Sequence, residues 1–96
     1  MIAIYYRTAA AIERKPVLWT VPESGLDKND YKMVTTFHDV MSLGDVFRRM
    51  NVVDVDEDYE IPLQLGVRSM MPGDVVVDED GDVWFCAGSG WERANW

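Results

Sequence analysis

Cysteine and histidine are almost missing from this chain: Cys86 and His38 are the only ones among 96 residues. A lone cysteine excludes an internal disulfide framework and any zinc site built from several cysteines, and it points to a reducing, cytoplasmic setting. Basic residues are also few. Nine Lys and Arg stand against 17 Asp and Glu, giving a net charge of −8 and a pI near 4.4. The best basic cluster is Arg48-Arg49, so the clustered footprint that phosphate backbones require is lacking and direct nucleic-acid binding is not expected. Long apolar runs are lacking as well. Residues 1–6 are apolar, but no basic segment precedes them and Arg7 follows, so they read neither as a signal peptide nor as a membrane span of roughly twenty residues.

What is present is the material of a folded globule. The hydrophobic fraction is 48%, with 4 Trp, 4 Tyr and 3 Phe, enough apolar surface to offset the entropy of ordering. At this length the chain supports one domain, residues 1–96, with a single core and no deep interdomain cleft.

The local patterns predict an α+β fold: a small antiparallel sheet with a C-terminal β-hairpin, packed against one main helix. Residues 2–6 (Ile-Ala-Ile-Tyr-Tyr) read as a first strand, central because it has no polar face. Residues 8–14 are ambiguous, since Ala9-Ala10-Ala11 favours helix while Pro16 disfavours it at the residue before. We expect a short strand over 17–21, closed by Pro22, then a polar loop over 23–30 and a further strand over 31–37. The helix is predicted over 39–50, where Val40, Leu43, Phe47 and Met50 form an apolar stripe widened by Val46. Asp39 is its expected N-cap and Asn51 its stop. Gly44 weakens it by about 1 kcal/mol relative to Ala, which suggests close packing against the sheet. Residues 52–60 should be a solvated, self-repelling loop. The C-terminal third, residues 66–91, reads as a turn-led hairpin: Pro72-Gly73-Asp74 turns, 75–77 and 83–87 are strands, and 78–82 connects them with Asp-Gly at its tip. Residues 88–96 follow as a tail.

Several catalytic and metal patterns fail on inspection. Asp54-Val55-Asp56 imitates a phosphohydrolase nucleophile motif, but those enzymes need a larger doubly wound domain, a lysine and further carboxylates. Alternating aspartates over 54–58 and 78–82 imitate calcium loops. Yet Tyr59 and Val83 occupy the sixth position, where Gly is needed, and Leu65 and Ser89 the twelfth, where Glu is needed. A Cys86/His38 pair would need an activating neighbour, whereas Cys86 sits in an apolar strand. No nucleophile, base and orienting group occur together, so neither an enzyme nor a cofactor is expected. The remaining candidates are partner-binding residues: Asp54, Asp56, Glu57, Asp58 and Glu60 in the first acidic run, Asp78, Asp80 and Asp82 in the second. Trp91 and Trp96 join them if exposed, because rigid aromatics anchor interfaces at low entropic cost.

The segment Val67-Arg68-Ser69-Met70-Met71-Pro72-Gly73-Asp74-Val75-Val76-Val77, the hairpin after it and Ala87-Gly88-Ser89-Gly90-Trp91-Glu92 resemble the YodL-like family of small phage, plasmid and mobile-element proteins. The helix ending Val46-Phe47-Arg48-Arg49-Met50-Asn51 sits where that family has one. The resemblance covers residues 39–92. It departs at Pro72, where the family is usually apolar, and at Gly88-Ser89-Gly90, where it is bulkier. It implies a mobile-element accessory protein with no catalytic residues to carry over. The expectation is therefore a small acidic phage-type protein that binds a host or defence protein in the host cytoplasm. The partner would be basic, such as a nucleic-acid-binding protein whose groove accepts carboxylates in place of phosphates. The alternative is a homo-oligomeric structural module pairing through the hairpin edge or the tryptophans.

Overall fold

The computed structural model describes residues 1–39, 41–51 and 66–96. Five strands form one antiparallel sheet: β1 (Ile2–Arg7), β2 (Tyr31–Phe37), β3 (Val75–Val77), β4 (Val83–Ala87) and β5 (Gly90–Ala94), in the spatial order β2-β1-β3-β4-β5. Among the described residues two α-helices accompany it, α1 (Ala9–Arg14) and α2 (Leu43–Asn51). The α+β class, the antiparallel sheet and the packing of one main helix on it agree with the sequence pattern.

β1 has a neighbour on each side, pairing Ile2 with Phe37 and Arg7 with Tyr31 on β2, and Ala3 with Val77 on β3. Its lack of a polar face follows from burial on both sides. Ile2, Ile4 and Tyr6 join Val46 and Met50 of α2, Met70, Val76 and Cys86 in one cluster; Tyr5 packs on the opposite face with Leu18, Tyr31, Val75, Phe85, Ala94 and Trp96. The C-terminal hairpin joins the two expected strands, β3 and β4, with Val75 opposite Phe85 and Val77 opposite Val83.

Four expectations are corrected. Residues 17–21 form no strand. They run as a strap across the face away from α2, with Leu18 in that face's core. The strap's backbone bonds to β5 and the turn before it are isolated: the Trp19 carbonyl accepts from Gly88 N–H at 2.9 Å and the Val21 N–H donates to the Glu92 carboxylate at 2.9 Å. Residues 88–96 are not a plain tail, because a two-residue turn at Gly88-Ser89 returns the chain as β5, with Cys86 opposite Trp91 and Val83 opposite Ala94. The helix starts at Leu43 rather than at Asp39. Ser42 is the cap: its Oγ accepts from Asp45 N–H at 3.1 Å, and the Asp45 carboxylate accepts from Ser42 N–H at 3.4 Å, the reciprocal arrangement of a capping box. Finally, Gly44 faces solvent, and an added Cβ there would meet only Ser42 Oγ at 3.8 Å, so close packing does not explain it.

The ambiguous stretch after β1 resolves as α1, capped by Thr8, whose Oγ1 accepts from Ala11 N–H at 3.2 Å. The helix ends at Arg14, leaving Lys15 extended (φ −145°) as the residue before a proline must be. Among the described residues no helix is long and apolar enough to cross a membrane.

Candidate partner-binding surface

The acidic tip between β3 and β4 is built by its first aspartate. Asp78 Oδ1 accepts from the N–H groups of Asp80 at 3.0 Å and Asp82 at 2.9 Å, while Oδ2 accepts from Trp84 Nε1 at 2.9 Å. The backbone closes the same turn, with Asp78 N–H on the Asp82 carbonyl at 2.9 Å and Gly81 N–H on the Asp78 carbonyl at 3.0 Å. Gly81 supplies the positive φ of +82° that the reversal requires. The Trp84 indole, followed by the two backbone donors, holds the Asp78 carboxyl below the usual carboxylate range, because each bond favours the charged form.

This organisation sorts the candidates. Asp78 is committed inward. Asp82 is half-buried and its Oδ1 meets Arg93 Nη2 at 3.0 Å, with the Arg93 guanidinium 5.2 Å from the Trp84 ring centre. Glu79 and Asp80 are exposed and face solvent at the apex. One carboxylate oxygen from each of Asp78, Asp80 and Asp82 lies within 4.8 Å of the other two, so the apex carries a dense negative charge on a hydrogen-bonded frame. Asp54, Asp56, Glu57, Asp58 and Glu60 lie outside the described residues, as does Val40.

The tryptophans are placed differently from the expectation of exposed anchors. Trp91 is half-buried against the α2 side of the core. Trp96 is half-buried on the other face, edge-on to Tyr5 at 4.8 Å and Tyr31 at 5.2 Å between ring centres. The exposed tryptophan is Trp19, 61% accessible, whose ring lies so close to Gly88 that a Cβ there would sit 2.8 Å from it. Nothing local distinguished Trp19; its position depends on the strap's contacts with β5.

A second charged group, overlooked in the sequence, is internal. The Asp74 carboxylate is fully buried and takes both terminal nitrogens of Arg68 together with the N–H groups of Arg7 at 3.1 Å and Met71 at 2.9 Å. The hydrogen bond to Asp74 pushes the Arg68 guanidinium still higher, and that guanidinium also sits 4.3 Å from the Tyr6 ring centre. Asp74 is the turn aspartate of the Gly-Asp-Val-Val segment, and here it fastens β1 to the chain entering β3. Cys86 is buried, and burial followed by the Asp74 charge pushes its thiol up to about 11, which leaves it a poor nucleophile at neutral pH. His38 is exposed beyond the end of β2.

Comparison with protein-family models, with curated proteins and with solved structures finds no match to this chain.

Proposed function

We propose that the chain is an acidic accessory protein of a phage or mobile element that acts by binding a basic host or defence protein in the host cytoplasm, its negative surface occupying a groove made for nucleic-acid phosphates. The observation that carries this reading is the preorganised apex, where Glu79 and Asp80 project from a turn already ordered by Asp78. An ordered acidic tip loses little further entropy on docking, and regularly spaced carboxylates suit an Arg/Lys groove. The net charge of −8 adds long-range steering toward such a groove. The resemblance of residues 39–92 to the YodL-like family supports the mobile-element origin.

The test is capture from a bacterial lysate on the immobilised chain at low and at high salt. It is repeated with Glu79→Gln and Asp80→Asn together, and with Asp56, Asp58 and Glu60 changed to Asn or Gln. Captured partners should elute with salt and be lost from the neutralised variants. Capture that is indifferent to both would end the electrostatic reading.

A second reading is self-association through a sheet edge. β2 ends the sheet on one side, is seven residues long and carries Met33 at 56% exposure, features of an edge that invites another strand. Sedimentation of a monomer at high concentration would remove it.

A further inference from the structure

On the α2 side of the sheet lies a cleft of about 260 Å³ whose charge runs against that of the molecule. Register places Tyr6 of β1 opposite Lys32 of β2, so their side chains share a face. Arg68 lies over the Tyr6 ring, and Ile12 and Val67 complete an apolar wall. No Asp or Glu among the described residues lines it, whereas the basic side chains of Lys32 and Arg68 do.

The positive charge of this cleft is only partly offset. Arg68 is balanced by Asp74, and the buried Arg7 side chain turns to the opposite face, beside Leu18, where its guanidinium meets the Ala11 carbonyl at 3.0 Å, so the unbalanced charge of the cleft is that of Lys32. Lys32 is exposed and makes no ion pair among the described residues. A small anion is therefore the complementary ligand. Two features narrow its chemistry. The Arg68 fork, the group best suited to a bare phosphate, is already taken by Asp74. The wall of Ile12, Val67 and the Tyr6 ring would be left uncovered by a fully hydrated ion. The volume, just under the roughly 300 Å³ at which pockets for drug-sized ligands begin, sets the size.

We propose that this cleft binds a carboxylate bearing a short apolar chain, the anion held beside Lys32 and Arg68 and the chain laid against Ile12 and Val67. The carboxylate can be that of a free short-chain acid or the C-terminus of a peptide ending in an apolar residue. The site is separate from the acidic apex and stands whether or not the apex binds a protein.

The experiment is a two-dimensional NMR titration of the full chain with pentanoate, pentanamide, inorganic phosphate, and an N-acetylated dipeptide ending in valine as its free acid and its amide. Pentanoate should give saturable shifts at Lys32, Val67 and Arg68, with a dissociation constant on the order of millimolar for so few atoms. Lys32→Gln should weaken it by about three- to fivefold, while Lys32→Arg should retain it. Tighter binding by the dipeptide acid than by pentanoate assigns the peptide source, and the reverse assigns the free acid. The proposal is overturned if neither acid saturates, if the amides bind as well as the acids, if phosphate binds more tightly than pentanoate, or if Lys32→Gln binds unchanged with its other resonances intact.

Discussion

Arg68 grips Asp74 with both terminal guanidinium nitrogens, Nη1 to Oδ2 at 2.7 Å and Nη2 to Oδ1 at 2.9 Å. The carboxylate is fully buried while the Arg68 side chain is one-third exposed, so the two partners are not equivalent. An asparagine keeps one acceptor oxygen but turns the other into a donor, which leaves one backbone N–H and one arm of the guanidinium without an acceptor and removes the buried charge. Asp74→Asn should cost about 3 kcal/mol, the low end for breaking a buried pair. Arg68→Lys, which keeps the charge but loses the fork, should cost about 1 kcal/mol. Urea denaturation measures both. A loss below about 1 kcal/mol for Asp74→Asn would mean that the network does not hold β1 to β3.

Gly44 provides a prediction of opposite sign. It lies in the first turn of α2, exposed, with 3.8 Å of clearance for a Cβ, so neither conformation nor packing requires glycine. Gly44→Ala should raise stability by about 0.5–1 kcal/mol through helix propensity and the unfolded chain's lost freedom. An unchanged or lowered thermal midpoint would indicate a constraint at α2 beyond its own turn.

The strap over residues 17–21 is fastened at acid-sensitive points. The Glu92 carboxylate accepts from Val21 N–H, then from the Thr20 hydroxyl at 2.8 and 3.1 Å, and these bonds depress its proton affinity, the backbone bond most. A carboxylate whose folded-state value is lowered contributes stability above its unfolded value, near 4.3 for Glu, and loses it as pH falls through the lowered value. The protection of the Val21 amide, its exchange relative to the free-chain rate at the same pH, should therefore fall below about pH 4, ahead of global unfolding. Glu92→Gln should show the lower protection already at pH 7 and lose the acid dependence at this site. Equal protection of Val21 in the two proteins at pH 7 would show that the strap is held by Leu18 packing alone.

How much of this was legible in the sequence depended on how far away the deciding partner lay. β1, β3 and β4 were readable because unbroken runs such as Val75-Val76-Val77 and Val83-Trp84-Phe85 between turn residues leave few alternatives. β5 was not: Gly90, Glu92 and Arg93 are poor strand formers, and only pairing with β4 makes the segment a strand. Asp39 and Ser42 are both good caps, and Asp45 three residues after Ser42 was the available discriminator. The spacing of Asp78, Asp80 and Asp82 announced a charged turn, but not that Asp78 would turn inward to Trp84. Asp74 looked like an ordinary turn residue, since its bond to Arg68 six residues back follows neither helical nor strand periodicity.

Gly73 and Gly81 separate two costs that glycine can spare a chain. Both have positive φ, +106° and +82°. At Gly81 an added Cβ meets nothing within 4 Å, so Gly81→Ala should cost only the backbone preference, about 1–2 kcal/mol. At Gly73 the Cβ would fall 2.9 Å from Arg7 Cδ and 3.3 Å from Leu18 Cβ. Arg7 is itself buried and held to the Ala11 carbonyl, so it has little room to yield. The Gly73 backbone is also fixed, its N–H on the Cys86 carbonyl at 2.7 Å and its carbonyl under the Tyr31 hydroxyl at 2.6 Å. Gly73→Ala should therefore cost more than Gly81→Ala by about 1–3 kcal/mol, the overpacking increment. The difference should shrink when Arg7→Ala removes the obstructing Cδ, because the two substitutions share a contact and cannot be additive. Denaturation midpoints of the two single glycine variants and of the Gly73→Ala, Arg7→Ala pair decide it. Equal losses at the two glycines would mean that backbone strain alone sets the cost and that the strap yields to the new methyl group.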